Sequence, residues 1–149
     1  MSATNADDLY QNLIMDRVRA PRHAGDLAIF DAEAESDNPM CGDRVHLRIR
    51  CEGARLGALR HETRGCAICV AAADLMGDVV VGKARADIDD LAEAFNTMIA
   101  TGAIPERADF AELRALAGVH GYRSRHRCAT LPWQALRAAL GKTMEVHHG

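Results

Sequence analysis

Three of the five cysteines stand at positions where a thiol can bind a metal or react. Cys41 lies in a turn between two predicted strands, Cys66 stands at a predicted helix start, and Cys128 ends a loop before the predicted last helix. Helix N-termini carry partial positive charge, which lowers the pKa of a nearby thiol. We therefore expect Cys66 and Cys128 to ionise readily.

An acidic residue completes a plausible ligand set. Asp43 is two residues beyond Cys41, so the two side chains point to the same side if the turn is extended. Three thiolates and one carboxylate suit a tetrahedral zinc ion. The carboxylate is a hard ligand among soft ones, so it is the ligand that we expect to leave. A metal site that can open one position can do chemistry.

The spacing of the cysteines leaves other interpretations open. The cysteines lie far apart in sequence, and buried inert thiols are an alternative because free cysteine is often buried. Cys66 and Cys69 form a Cys-x-x-Cys at a helix start, the spacing of a thioredoxin-like redox pair, but no parallel βαβ pattern precedes them. His126 is an alternative ligand beside Cys128, and we expect His61 to have a structural role.

The composition limits the kind of protein that carries these thiols. The chain has 149 residues and 48% hydrophobic content, which suits one globular domain without disulfides. Its 18 basic and 21 acidic residues give a net charge of −3, which argues against a nucleic-acid-binding surface. We expect neither a signal peptide nor a membrane span, because no basic and apolar leader or long apolar run is present. A reducing cytoplasmic location would keep the cysteines free.

Alternating hydrophobicity predicts the strands that position Cys41. Residues 45–51 alternate between apolar and polar side chains, which is the period of a half-buried strand. An extended stretch near 27–35 precedes them, and 56–63 can return as an antiparallel partner after a Glu-Gly turn.

Helical periodicity dominates the rest of the chain. Apolar residues share one face over 68–79 and again over 91–99, and Pro132 suits the first turn of a final helix. Because strands come first and helices mostly follow, the class is α+β. We expect one domain over residues 1–149 with a flexible tail from about residue 141.

Three cysteine motifs resemble those of the IscU/NifU-like family of iron–sulfur cluster assembly proteins, and its SufU branch in particular. They are Asn-Pro-Met-Cys-Gly-Asp at 38–43, Gly-Cys-Ala-Ile at 65–68 and Arg-Cys-Ala-Thr-Leu-Pro-Trp at 127–133. The resemblance covers nearly the whole chain. It implies a small three-stranded antiparallel sheet with helices packed against it and a zinc site at one end.

The resemblance also implies roles for individual residues. Cys41, Asp43, Cys66 and Cys128 match the zinc ligands of SufU-like proteins. The cysteine that matches Cys41 accepts persulfide sulfur from a pyridoxal-phosphate cysteine desulfurase of the SufS type, and the residue that matches Arg125 helps the exchange. The partner supplies a histidine to zinc in place of the aspartate, and the sulfur passes on to downstream iron–sulfur assembly machinery.

Differences between this chain and the family pattern help to distinguish sulfur transfer from a scaffold function. The scaffold branch has histidine directly before its last ligand cysteine, where this chain has Arg127. A Leu-Pro-Pro-Val-Lys chaperone-binding motif is also absent from residues 121–127. Both differences favour sulfur transfer over a scaffold that holds an iron–sulfur cluster on the same cysteines, which is the alternative. Cys69 replaces the usual serine and could act as a resolving thiol or an extra ligand.

Overall fold

In the computed structural model, a three-stranded antiparallel sheet in the order β1-β2-β3 follows the first helix. Strand β1 spans Ala32–Asn38, β2 spans Asp43–Glu52 and β3 spans Arg55–Arg64. Alternate residues of β2 from Val45 to Ile49 are fully buried, and those between them lie on the outer face. The sheet and the helices packed on it confirm the predicted α+β class.

The structure describes residues 2–148, with the side chains of residues 10–143, and within this range five α-helices accompany the sheet. They are α1 (Ser2–Arg19), α2 (Ala67–Val80), α3 (Arg85–Thr101), α4 (Phe110–Leu113) and α5 (His126–His148). Two 3₁₀ segments, Arg114–Gly121 and Arg123–Arg125, connect α4 to α5. None of the helices so described is long and apolar enough to cross a bilayer.

Helix α5 begins six residues before Pro132, so the predicted start of the last helix was wrong. Cys128 is consequently the third residue of a helix rather than the end of a loop. Pro132 has no N–H for the Cys128 carbonyl, which is why proline is usually found at helix starts. Cys128, Ala129 and Leu131 are nevertheless buried, and this apolar burial compensates for the missing hydrogen bond.

Aromatic packing fixes the position of α5. Trp133 on α5 stacks on Phe95 of α3 with 5.2 Å between ring centroids, and both side chains are buried. Helix α5 also lies across β1 and β2. The helix continues through the segment from about residue 141, whose flexibility stays a prediction, as does the single domain over 1–149.

A buried ionic network ties α1 to α2. The Arg17 guanidinium donates to Asp74 at 2.9 Å and also contacts Asp78. Asp74 accepts a bond from the backbone N–H of His23 at 2.8 Å, and its carboxylate lies 3.1 Å from Nε2 of His61. Helix α2 starts directly after Cys66, so this network also helps to fix the position of Cys66.

Candidate metal centre

Cys41 sits on an exposed turn between β1 and β2. The carbonyl of Asn38 accepts hydrogen bonds from the N–H groups of Cys41 at 3.2 Å and Gly42 at 2.8 Å. Its side-chain oxygen accepts another from Met40 at 3.2 Å. Gly42 has φ +78°, a left-handed conformation that glycine adopts without strain. The turn therefore presents the Cys41 thiol to solvent from a well-bonded backbone.

Asp43 begins β2 and is almost completely buried, with 2% of its surface exposed. One carboxylate oxygen accepts a hydrogen bond from the N–H of Cys66 at 3.0 Å, and the Cys66 thiol donates to the other at 3.7 Å. The carboxylate passes directly over Gly65, where a β-carbon would lie only 2.1 Å from Asp43 Oδ1. Glycine at this position, with φ +149°, is thus what allows the close approach.

Two helix N-termini supply the other thiols. Cys66 is the N-cap of α2, and Cys128 lies in the first turn of α5. The sulfur atoms of Cys41 and Cys128 are 3.9 Å apart, although 87 residues separate them in sequence. One ligand atom from each of Cys41, Asp43 and Cys128 lies within 4.8 Å of the others, and Cys66 joins this group through Asp43.

The spacing of these atoms fits a tetrahedral metal ion. Metal–sulfur bonds of about 2.3 Å place two thiolates about 3.8 Å apart in a tetrahedron. The 3.9 Å separation of the Cys41 and Cys128 sulfurs agrees with that length. Three sulfur atoms and one oxygen are a donor set that suits zinc or iron. The structure thus brings together all four residues predicted as ligands, whose metal binding stays a prediction.

Burial and mutual hydrogen bonding shift the ionisation of the cluster in opposite directions. Burial alone would raise the pKa of Asp43, but hydrogen bonds from the Cys128 thiol, the Cys66 backbone and the Cys41 thiol hold it below its ordinary value. Burial, together with the neighbouring Asp43 and Cys66, raises the pKa of Cys128. Without a cation, the carboxylate carries the negative charge and the Cys128 thiol keeps its proton, so the prediction that Cys128 ionises readily was wrong, because burial and the neighbouring acidic groups outweigh the helix N-terminus.

Arg125 lies at the edge of the cluster. It ends the second 3₁₀ segment and lines the same cavity as the thiols, and the nearby Cys66 sulfur raises the pKa of Arg125. Cys128 and Asp43 add attractive charge interactions. The cation predicted to assist the exchange is therefore placed against the thiols from the solvent side.

A cavity of about 540 Å³ opens above the thiols. Its lining includes all four predicted ligands together with Asn38, Met40, Gly65, Ser124 and Arg125. Sequence reasoning did not assign Asn38 or Gly65 to the site. The Asn-Pro turn before Cys41 and the glycine before Cys66 were the signals that could have identified them.

The remaining candidates lie outside the cluster. Nε2 of His126 is 2.9 Å from the carbonyl of His120, so this histidine is engaged away from the thiols. His61 is buried between Asp74 and Thr63, as expected of a structural residue. Cys69 is completely buried in the core, and burial raises its pKa strongly.

Comparison with known proteins gives a consistent match. The family model for the NifU-like N-terminal domain matches residues 9–142. The chain is 32% identical over 138 residues to the zinc-dependent sulfurtransferase SufU of Bacillus subtilis, covering 93% of each chain. It is 29% identical over 148 residues to the iron–sulfur cluster assembly scaffold protein IscU of Streptococcus pyogenes, covering 99% of this chain and 92% of the relative.

Solved structures share the fold. A putative iron–sulfur cluster assembly scaffold protein for the SUF system from Fervidobacterium islandicum superposes with a TM-score of 0.80 at 26% identity, covering 86% of this chain and 93% of that one. The N-terminal part of a NifU-like protein from Brucella abortus gives a TM-score of 0.84 at 23% identity, covering 94% and 97%. The arrangement of three strands and surrounding helices is therefore common to this group.

Proposed function

This chain belongs to the family of NifU-like N-terminal domains, and we propose that it works in iron–sulfur cluster assembly as a zinc-bound acceptor of persulfide sulfur. The observation that carries this proposal is the unequal exposure of the three clustered thiols. Cys41 is exposed, Cys66 is half-buried and Cys128 is buried. A sulfur donor on another protein can therefore reach Cys41, while the other two hold the metal from below.

Zinc fits the donor set, with Cys41, Asp43, Cys66 and Cys128 as its ligands. When bound, it would keep the cysteines as thiolates at neutral pH, because coordination deprotonates a thiol. The backbone N–H of Cys66 donates a hydrogen bond to Asp43 and holds it in place. Its carboxylate occupies the space that a β-carbon at Gly65 would take. As the hard ligand, it is also the one that a partner's side chain can replace.

The transfer step moves one sulfur atom between two thiols. The Cys41 thiolate attacks the outer sulfur of a protein persulfide, a new S–S bond forms on Cys41, and the S–S bond of the donor breaks. The donor leaves as a thiolate, so no external oxidant or reductant is needed. Arg125 stabilises negative charge on the sulfur atoms during this exchange, because its guanidinium lies against the thiols.

The donor in this proposal is a pyridoxal-phosphate cysteine desulfurase of the SufS type, and the receiver is downstream iron–sulfur assembly machinery. The similarity of this chain to the SufU and IscU proteins named above supports the choice of a cysteine desulfurase as donor. A cytoplasmic setting suits the step, because reducing conditions keep five cysteines free for chemistry.

Mass spectrometry tests the proposal directly. The zinc-loaded chain is mixed with the desulfurase from the same genome and cysteine, and the mass added to each cysteine is measured. We expect one sulfur on Cys41, and none after Cys41→Ala. Cys51→Ala, which removes a half-buried thiol away from the cluster, is the matched control and should behave like the wild type. Wild-type protein that takes up no sulfur would refute the proposed transfer.

A scaffold that carries a nascent iron–sulfur cluster is the second candidate. The same three thiols and the cavity of about 540 Å³ above them support it, because thiolate-rich sites bind such clusters. Anaerobic reconstitution with iron and sulfide distinguishes the two functions. A stable coloured cluster that passes to an apo-protein would favour the scaffold, whereas a labile cluster beside efficient sulfur uptake would favour transfer.

A further inference from the structure

A second cavity lies at the opposite end of the sheet from the thiol cluster. Its volume is about 220 Å³, and it lies between the β2–β3 turn, the first turn of α3 and the part of α5 around Leu140. Cys51 lines it and is separated from Asp43 by about 26 Å along the extended strand β2. The cavity is therefore separate from the candidate metal centre.

Two arginines supply the charge of this cavity. Nη1 of Arg85 donates to the carbonyl of Leu140 at 2.9 Å, and Nη1 of Arg55 donates to the carbonyl of Gly82 at 2.9 Å. These bonds fix the guanidinium groups, but a carbonyl does not neutralise their charge. Among the side chains described, over residues 10–143, no carboxylate lines the cavity and none lies within 4.0 Å of Arg55.

The Arg85 guanidinium has an edge that the fold leaves unused. Its Nε atom is buried and has no hydrogen-bond partner, and the carboxylate oxygen of Asp89 is 3.8 Å away, which is too far for a hydrogen bond. Nε and Nη2 together form an edge that can bind both oxygens of a carboxylate in parallel. The side chain is 34% exposed, so this edge can turn towards the cavity that the residue lines. A buried donor without an acceptor costs free energy, which an incoming oxygen atom would recover.

The other walls of the cavity are apolar. Leu56, Ile88 and Leu140 line it, and each is at most 4% exposed. The volume of about 220 Å³ equals that of roughly seven water molecules in the liquid, so a ligand with a similar number of non-hydrogen atoms fits. Two cations beside apolar walls favour a molecule with an anionic group and a short hydrocarbon tail.

We propose that this cavity binds a small organic carboxylate with a hydrocarbon tail of about four to six carbons. The carboxylate pairs with Arg85 and Arg55, and the tail lies against the three apolar side chains. An amino acid would bind poorly, because the described lining has no carboxylate for its ammonium group. Inorganic phosphate would gain nothing from the apolar walls. The site lies far from the thiols, so it does not depend on the proposed sulfur transfer.

Protection of Cys51 from alkylation measures occupancy of the cavity. Its thiol lines the cavity and is half-buried, so it serves as a reporter and not as a binding group. Zinc-loaded protein is treated with iodoacetamide at increasing concentrations of hexanoate, and modification of Cys51 is followed by mass spectrometry. We expect hexanoate to slow this reaction with a dissociation constant of about 1 mM, which lies within the range that its eight or so non-hydrogen atoms can supply.

Two other molecules show whether both parts of the ligand matter. Hexan-1-ol has the same tail without the charge, and inorganic phosphate has charge without a tail. Neither should protect Cys51 at concentrations where hexanoate does. Equal protection by hexan-1-ol would overturn the proposal, because the arginines would then contribute nothing. Equal protection by phosphate would overturn it as well, because the apolar walls would then contribute nothing.

Arg85→Gln tests the head-group contact. We expect this variant to bind hexanoate at least about tenfold more weakly, because a neutral amide cannot replace a charged, two-pronged donor. Arg55→Gln, at an exposed position, should also weaken binding and leaves the bond of Arg85 to α5 in place. Arg50→Gln neutralises an arginine on the outer face of the same end of β2 and is the matched control. It should bind hexanoate like the wild type.

Thermal unfolding gives a second readout that does not use Cys51. A ligand that binds only the folded chain raises its melting temperature, so hexanoate should do so in the wild type and in Arg50→Gln. The rise should be absent or much smaller in Arg85→Gln, whose fold is checked by circular dichroism without ligand. No rise in the wild type, or an equal rise in the wild type and Arg85→Gln, would overturn the carboxylate site.

Discussion

At the scale of single residues, the site depends on contacts that keep a carboxylate among thiols. Asp43 is held by one backbone N–H and lies over a residue that has no side chain. Of the three clustered thiols, Cys41 alone is exposed, which is why we propose that it reacts while Cys66 and Cys128 hold the metal. Both properties arise from backbone geometry at the junctions of strands and helices.

Gly65→Ala should displace Asp43. The added β-carbon would lie 2.1 Å from Asp43 Oδ1, and φ +149° is strained for alanine. Because misplaced ligands and their supports typically cost about 10–100-fold in metal affinity, we expect a loss of that size in competition titrations with a zinc chelator. Gly121→Ala is the control, since nothing lies within 4 Å of its β-carbon. Unchanged zinc affinity in Gly65→Ala would contradict this account of the site.

Cys69→Ala should leave sulfur uptake intact. The thiol is completely buried in the core, so its replacement removes a small packed group and costs about 1 kcal/mol of unfolding free energy. The rate of sulfur addition to Cys41 and urea denaturation check the two expectations. If this variant loses sulfur uptake while keeping its zinc, Cys69 acts as a resolving thiol after all.

At the scale of elements, the two helices that carry Cys66 and Cys128 are held by different means. Helix α5 is fixed by apolar packing, including the stacked pair Phe95 and Trp133. Helix α2 is fastened to α1 by the buried ionic network around Arg17. The first support is insensitive to pH, whereas the second depends on ionised carboxylates.

Arg17→Ala should destabilise the protein by about 3–5 kcal/mol, because it leaves buried carboxylates without their cation. The arginine side chain is only 3% exposed, and its partner Asp74 is fully buried. Arg19→Ala, at an exposed position of the same helix, is the control and should be nearly neutral. Urea denaturation measures both, and equal stability of the two variants would show that the network contributes little.

Acid should weaken the same network through Asp74. Burial alone would raise the pKa of this carboxyl, but hydrogen bonds from His61, from the backbone N–H groups of Arg22 and His23, and from Arg17 hold it well below its ordinary value of 3.8. The folded state therefore favours the ionised form. Its contribution to the unfolding free energy is present above about pH 3.8 and is lost as the pH falls below that value toward the folded pKa.

Denaturation curves from neutral pH to about pH 3 test this dependence. We expect the unfolding free energy to fall on acidification in the wild type and to fall less in Asp74→Asn. Asp37→Asn, at an exposed position of β1, should keep the wild-type profile. If the unfolding free energy falls equally with pH in the wild type and in Asp74→Asn, Asp74 is not the source of the acid sensitivity.

At the scale of the whole molecule, the fold is built around an apolar core that extends well beyond the thiol cluster. The inner face of the sheet, α2, α3 and α5 share a continuous set of buried apolar residues, and the thiol cluster lies at one end of it. Structural zinc contributes about 10–16 kcal/mol in small zinc-finger peptides, which have no such core. We therefore expect a metal bound at the cluster to organise loops on a domain that folds independently of it.

Removal of zinc by a chelator should therefore leave the far-ultraviolet circular dichroism nearly unchanged. Hydrogen exchange should become faster at residues 38–43 and 123–128, which carry the two ends of the cluster, and remain slow in β2 and α2. If most of the helicity is lost when the metal is removed, the apolar core is not sufficient to keep the domain folded.

Local patterns in the sequence determined much of this description. The alternation along β2, the helical faces of α2 and α3 and the three cysteine motifs each depend on neighbouring residues, so the α+β class, the family and the four candidate ligands could be predicted. Periodicity did not predict the early start of α5, because burial of Cys128 and Ala129 outweighs the usual preference for proline in the first turn.

Only the tertiary structure decided how the thiols differ. Sulfur atoms 87 residues apart come within 3.9 Å because the β1–β2 turn and the α5 N-terminus meet at one end of the sheet, and no local signal encodes that meeting. The exposure of Cys41 and the position of the Asp43 carboxylate against Gly65 follow from the same convergence. Residue types specify which chemistry is available, and long-range packing specifies which atom performs it.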